Sequence, residues 1–242
     1  MTKDNLYIPK YLHFCWFGKK PIPKQYINYM ETWKKFLPDH EIICWNEENF
    51  PIESYAYAKE AFNADKMAFV SDVARVYALK TMGGIYLDTD VEVIRAFDGI
   101  LNGQKGVLGH ESAKAIGTGF MAFAPEHPLI NEMNDYYLSN HFEVGDGNFP
   151  TKSNTMILAE IIERKYGVKP RDTVQEIGDS VIIYPREYFT AFDSVVGKGV
   201  PTINTRCIHH MSASWFTPTK MIKRKIKMIL NRLLQPFNIR IK

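Results

Sequence analysis

Between residues 63 and 93 the chain reads NADKMAFVSDVARVYALKTMGGIYLDTDVEV. Met67, Val70, Ala74, Tyr77 and Ala78 recur at helical spacing, which predicts a helix with one buried face, N-capped by Asp65 and ended by Gly83 and Gly84. Ile85, Tyr86 and Leu87 then make a short β-favouring run that stops at Asp88-Thr89-Asp90. Upstream, the pattern predicts a strand over Lys10–Phe17, a helix over Gln25–Leu37 striped by Ile27, Met30, Trp33 and Leu37, and a strand over Glu41–Trp45. Downstream it predicts more strand over Val91–Ile94, a turn or short helix over Phe97–Leu101, and strands over Gly106–Gly109 and Gly119–Ala124 around a small-residue loop, Ala115–Gly119. Helices over Pro128–Tyr137 and Thr155–Tyr166 flank a long polar, glycine-bearing loop, His141–Asn154, of the kind that is usually functional or disordered. A strand over Val181–Tyr184 follows.

The strand, helix, strand opening predicts an α/β fold with a mostly parallel sheet of nucleotide-binding type. A G-x-G-x-x-G fingerprint is absent, which disfavours a dinucleotide enzyme. Ser71, Asp72 and Arg75 share one helix face, readable either as a solvated face with a local ion pair or as part of a site. Asp88 and Asp90, two apart after a buried strand, point the same way and repel each other. That cost makes sense where a divalent cation or several hydroxyl groups neutralise them. Their place at the carboxyl end of a hydrophobic strand is where open α/β sheets bind ligands.

SDVARVYALKTMGGIYLDTD resembles the DxD-containing sugar-binding region of glycosyltransferase family 32 and is similar to the catalytic domain of the large glucosylating bacterial toxins. The run Leu12 to Gly18, LHFCWFG, resembles the family's first strand and nucleotide loop, and His209 to Trp215, HHMSASW, its closing motif. The resemblance implies a GT-A type, Rossmann-like sheet flanked by helices and a retaining, metal-dependent hexosyl transfer from a nucleotide-sugar. It assigns Trp16 and Phe17 to the nucleotide, with Trp16 stacking on the base, and places Ser71 in the donor site. Asp72 and Arg75 hold the donor sugar's hydroxyls, and Tyr86, Ser214 and Trp215 line the diphosphate pocket. Asp90 and His210 bind the metal, with His209 as alternative, and Asp88 bonds the ribose or shares the metal. Mn²⁺ is expected over Mg²⁺ because an imidazole joins the oxygen ligands; UDP-sugar is preferred over GDP-sugar. An asparagine that family members place near position 117 is Gly117 here, which moves that contact to Thr118.

Composition adjusts this picture at the edges. Apolar residues at 45% and charged residues at 24% of 242 are globular values, enough for one α/β domain with little left over. No apolar run approaches the about 18 residues of a membrane span, and the N-terminus lacks a secretory apolar region, so a cytoplasmic protein is expected. Cys15, Cys44 and Cys207 sit in apolar contexts and read as reduced core residues; His13 reads as a satisfied core histidine. Residues 220–242 hold eight of the 30 Lys and Arg and no acid, so 22 basic residues face 27 acidic ones elsewhere, a balance of −5. The tail from Lys220 has Ile222, Ile226, Ile229, Leu230, Leu233 and Phe237 on one side, a basic amphipathic helix. Anionic membrane, packing on the domain and nucleic acid compete as its partner. The apolar stripe disfavours nucleic acid, and anionic lipid is preferred. The expectation is therefore a catalytic domain over 1–219, a membrane-associating tail over 220–242, and a lipid-linked oligosaccharide or polysaccharide acceptor at the inner face of a bacterial cytoplasmic membrane. An aspartyl-phosphate phosphatase and a non-catalytic nucleotide-sugar-binding module are the alternatives.

Overall fold

The computed structural model describes residues 7–97, 99–142, 152–195, 197–212 and 218–234. The first half builds β1 (Tyr11–Cys15), α1 (Lys24–Phe36), β2 (Glu41–Trp45), α2 (Ala56–Asn63), α3 (Met67–Met82), β3 (Gly84–Leu87) and β4 (Val91–Val93). It continues through β5 (Gly106–Ser112), β6 (Ala115–Phe123), α4 (Pro128–Ser139), α5 (Asn154–Tyr166), β7 (Gln175–Ile177) and β8 (Val181–Tyr184). Then come α6 (Arg186–Phe189), β9 (Phe192–Asp193), β10 (Lys198–Gly199), β11 (Cys207–His209) and α7 (Pro218–Leu234).

Seven strands form one sheet in the order β2-β1-β3-β6-β5-β8-β7. β1 pairs in parallel with β2 and β3, and β5 with β8, whereas β6 runs antiparallel to both β3 and β5 and β7 antiparallel to β8. Five strands thus point one way, which makes the sheet mostly parallel as expected. Two small antiparallel ladders, β10 with β9 and β11 with β4, lie outside it.

Alternation along the central strands separates two cores. Ile85 and Leu87 of β3 join Leu12, Phe14, Trp33 and Phe189 on one side, and Tyr86 joins Val70, Ala74, Leu129 and Leu158 on the other. Gly84 is required where it is: its φ is +105°, and a Cβ there would meet the Tyr11 carbonyl oxygen at 2.6 Å, so β3 and β1 approach closely only with glycine. His13 is fully buried. Its Nε2 donates to the Gly83 carbonyl at 2.7 Å and its Nδ1 accepts from Trp45 Nε1 at 3.1 Å, and burial lowers its pKa to about 4.

Three local expectations change. α3 starts at Met67 behind Lys66 with no side-chain cap, and Asp65 sits at a left-handed φ of 56° because α2, which the pattern did not predict, turns straight into α3. The small residues Ala115–Gly119 belong to β6 rather than to a loop. Phe17 is in the core, edge-on to Phe50 at 5.9 Å, so its ring is taken up by packing and not presented to a nucleotide.

Candidate active site

β3 ends at Leu87, and its last backbone link to β6 is Asp88 N–H donating to the Gly119 carbonyl at 2.9 Å. Asp88 and Asp90 therefore leave the sheet at the carboxyl end of β3 before the chain re-enters structure as β4. β11 pairs with β4 so that His209 stands opposite Val91. This register, fixed by residues more than a hundred positions apart, places the His209 imidazole beside both carboxylates. Its Nε2 lies 3.2 Å from Asp90 Oδ1 and 3.8 Å from Asp88 Oδ2. One ligand atom from each of Asp88, Asp90 and His209 lies within 4.8 Å of the others.

His210, the expected metal ligand, faces the other way, as adjacent residues leaving a strand do. Its Nε2 meets Glu92 Oε2 at 2.9 Å and its ring stacks on Tyr29 with centroids 4.4 Å apart. The alternative, His209, is the histidine that reaches the aspartates. The closing segment supports Asp90 further: His210 N–H donates to the Asp90 carbonyl at 3.0 Å, and Ser212 N–H donates to Asp90 Oδ2 at 2.6 Å. Burial works against both charges, yet the mutual attraction wins. The Asp90 carboxyl is held well below the usual range by His209 and the Ser212 N–H, and Asp90 and Asp88 raise the His209 imidazole to about 9.

On the other side of Asp88, α3 supplies a second cluster. The face carrying Asp72 and Arg75 is not solvated: Arg75 is 6% exposed. Its guanidinium bonds Asp72 Oδ1 at 2.9 Å, Asp88 Oδ1 at 3.3 Å and the Thr118 carbonyl at 2.8 Å, and lies over the Tyr86 ring at 4.6 Å. Tyr86 Oη–H donates to Asp88 Oδ1 at 2.9 Å. Asp72 also accepts from Asn154 Nδ2 at 3.2 Å. Burial raises the Asp72 carboxyl to about 6, with Asp88 adding repulsion and Arg75 opposing both.

The remaining predicted residues divide. Ser71 turns its hydroxyl back to the Met67 carbonyl at 3.0 Å inside α3. Trp16 is half-buried at the end of β1, its Nε1 donating to the Lys20 carbonyl at 2.6 Å and its ring edge-on to Tyr26. Thr118 is buried and contributes its carbonyl rather than its hydroxyl to Arg75. Ser214 and Trp215 lie outside the described residues. The structure adds Asn154, from the far end of the polar loop, and Gly119 of β6. A Cβ on Gly119 would come within 2.5 Å of His209 Cε1 and 2.9 Å of Asp88 Oδ2, so the strand surface is bare where the histidine and aspartate pack. Glycine inside a strand, a mark of close backbone approach, is the signal in the sequence that could have singled it out; its nearness to the DxD comes only from the pairing of β6 with β3. Nothing local marks Asn154.

An α/β sheet of this order, flanked by helices with acidic residues at the carboxyl end of a central strand, is the GT-A glycosyltransferase fold. The solved PaToxG glycosyltransferase superposes with a TM-score of 0.56 at 21% identity, covering 66% of this chain and 70% of that one. Galactosyltransferase LgtC, solved with donor and acceptor sugar analogues, does so with a TM-score of 0.50 at 10% identity, over 91% and 94%. In sequence, residues 23–107 match the family described as the glycosyltransferase sugar-binding region containing the DXD motif, and the resemblance expected from the motifs is borne out. Inositol phosphoceramide mannosyltransferase 3 of Schizosaccharomyces pombe is 29% identical over 137 residues, which is 53% of this chain and 37% of that protein. Mannosyl phosphorylinositol ceramide synthase CSH1 of Saccharomyces cerevisiae is 26% identical over 51% of this chain and 33% of its own. The chain thus aligns with well under half the length of these fungal relatives.

Proposed function

We propose that the protein is a metal-dependent, retaining hexosyltransferase that moves a sugar from a nucleotide-sugar, UDP-sugar before GDP-sugar, to a lipid-linked or polysaccharide acceptor. Its setting in this reading is bacterial surface-polysaccharide synthesis at the inner face of the cytoplasmic membrane. The observation that carries the reading is the convergence of Asp88, Asp90 and His209 at the end of β3, with the Asp72–Arg75 pair bonded to the same Asp88.

Two carboxylates and an imidazole are a donor set suited to a divalent ion, Mn²⁺ before Mg²⁺. Asp88, Asp90 and His209 would hold it, unless Asp88 bonds the ribose instead of sharing the ion. The bound ion would offset the negative charge that develops on the leaving diphosphate. Asp72 and Arg75 orient the donor sugar through its hydroxyls, while Tyr86 and Arg75 fix Asp88 in place. With no carboxylate assigned as nucleophile, the acceptor hydroxyl attacks from the side of the leaving diphosphate, which takes its proton, and the anomeric configuration is retained. The phosphatase alternative fits less well. Asp88, which would have to carry the phosphoryl group, has its Oδ1 engaged by both Arg75 and Tyr86.

Thermal unfolding with UDP-, GDP- and CMP-sugars, each with and without Mn²⁺, tests the reading. A ligand at about 100 times its dissociation constant stabilises by about 2.7 kcal/mol. One nucleotide class should raise the midpoint only when metal is present. Asp90→Ala and His209→Ala should abolish the metal-dependent part, and His210→Ala should keep most of it. A shift that survives Asp90→Ala would remove the DxD from the donor site.

A further inference from the structure

Helix α7 has two faces, and the structure shows which one the body uses. Arg224, Met228, Asn231 and Leu234, at spacings of four and three, are the described residues of α7 shielded from solvent. Asn231 is 1% exposed and donates to the Val195 carbonyl at 3.3 Å, Arg232 donates to the Gly197 carbonyl at 2.7 Å, and the Met228 thioether lies against Gly197. The turn between β9 and β10 is therefore the seat of the helix. At about 100° per residue, Ile222, Ile226, Ile229 and Leu233 lie roughly opposite that seat. They are 53–64% exposed: 59% for Ile222, 53% for Ile226, 57% for Ile229 and 64% for Leu233. An apolar stripe that served the core would point the other way.

The charges on α7 are arranged around that stripe. On the same angular count Lys223 and Lys227 flank one side of it and Lys225 the other, while the Arg232 guanidinium is held by the seat through the Gly197 carbonyl, and residues 218–234 contain no acid. We propose that α7 is an in-plane membrane helix: its Ile222–Leu233 stripe enters the headgroup boundary of an anionic bilayer, and its cationic flanks pair with lipid phosphates. A stripe that is apolar along its centre and cationic along both edges matches a surface that is apolar beneath and anionic on top. A neutral protein groove would offer those edges no complementary charge. The inference rests on the membrane-side setting proposed above and names its surface, face and lipid chemistry. Because α7 holds the β9–β10 turn on its opposite side, the body would stand above the bilayer on that turn.

The test uses the full chain and vesicles of phosphatidylcholine alone or with phosphatidylglycerol, read by co-sedimentation. The protein should bind the mixed vesicles and not the neutral ones, and high salt should release it. Ile226→Glu with Ile229→Glu alters only exposed positions, so the unfolding midpoint should hold while vesicle binding is lost. Lys223→Gln with Lys227→Gln should weaken binding by about 30-fold, at about 5-fold for each cation. Three results would overturn the proposal: equal binding to neutral vesicles, full binding by the stripe variant, or a stripe variant that instead converts a dimer to a monomer. Nucleotide-sugar binding is measured on the same samples without vesicles. Its absence with vesicle binding intact would fail the catalytic reading alone, and its presence with no vesicle binding would fail this one alone.

Discussion

Asp72 shows what a polar site costs a fold. Its carboxyl is 16% exposed, and burial beside Asp88 lifts its pKa from 3.8 to about 6 despite Arg75. An acid whose folded-state pKa lies above its unfolded value binds its proton more tightly when folded. Its penalty is therefore absent below about pH 4, and stability is lost as pH rises from there through about 6, by about 3 kcal/mol at neutral pH. Asp72→Asn should raise the unfolding midpoint of the ligand-free protein at pH 7.5 by the equivalent of about 1–3 kcal/mol, and the gain should shrink between pH 6 and 4. The same variant should bind a nucleotide-sugar no more tightly than the free nucleotide. A variant less stable than wild type at pH 7.5 would mean that the Arg75 pair outweighs the burial. The residue types of this centre were legible in the sequence, since Asp72, Arg75, Asp88 and Asp90 are read from one continuous stretch. Which of His209 and His210 joins them was not. Alternation says that only one can, but the choice depends on the register of β11 against β4, a pairing across more than a hundred residues.

At the scale of elements, β6 explains one misreading of the pattern. It is the reversed strand between β3 and β5, and its near end, AIGTG, has so little side chain that it reads as a loop. Long-range partners supply a reason for only one of its two glycines. At Gly119 His209 and Asp88 pack against the bare backbone, while at Gly117 the nearest neighbour of an added Cβ is Glu111 Cβ at 3.3 Å. The two positions should therefore respond differently. Gly119→Ala pushes a methyl into His209 and Asp88, and metal-dependent donor binding should fall by about tenfold or more, since displaced or unsupported ligands weaken a metal site on that order. Gly117→Ala asks only a few tenths of an ångström of Glu111 and should leave binding within about threefold, because its β-strand conformation accepts alanine. Calorimetric titration of Mn²⁺ with the nucleotide-sugar present measures both. Equal losses would place the constraint in the strand itself. The helices α1, α3, α4 and α5 carry clear apolar periodicity and were legible; α2 and α6, of eight and four residues, are too short for that signal and owe their form to the core they close.

At the scale of the whole molecule, charge is segregated along the chain. The formal net charge of +3 is the sum of a body at −5 and a tail at +8. The shielded edge of α7 rests on the β9–β10 turn, and none of its described residues belongs to either hydrophobic core cluster. Little apolar burial is lost if the helix is removed, so a chain ending at residue 217 should unfold cooperatively with a midpoint within about 4 °C of the full protein, the shift expected for about 1 kcal/mol or less. Its charge changes sign, however. At pH 7 the shortened chain should be retained by an anion exchanger where the full chain is retained by a cation exchanger, and it should be repelled by phosphatidylglycerol vesicles at low salt rather than merely fail to bind them. Loss of cooperative unfolding on truncation would make α7 part of the domain. Retention of the shortened chain on a cation exchanger would instead locate a basic face on the body itself, and the membrane-facing side would then have to be sought there.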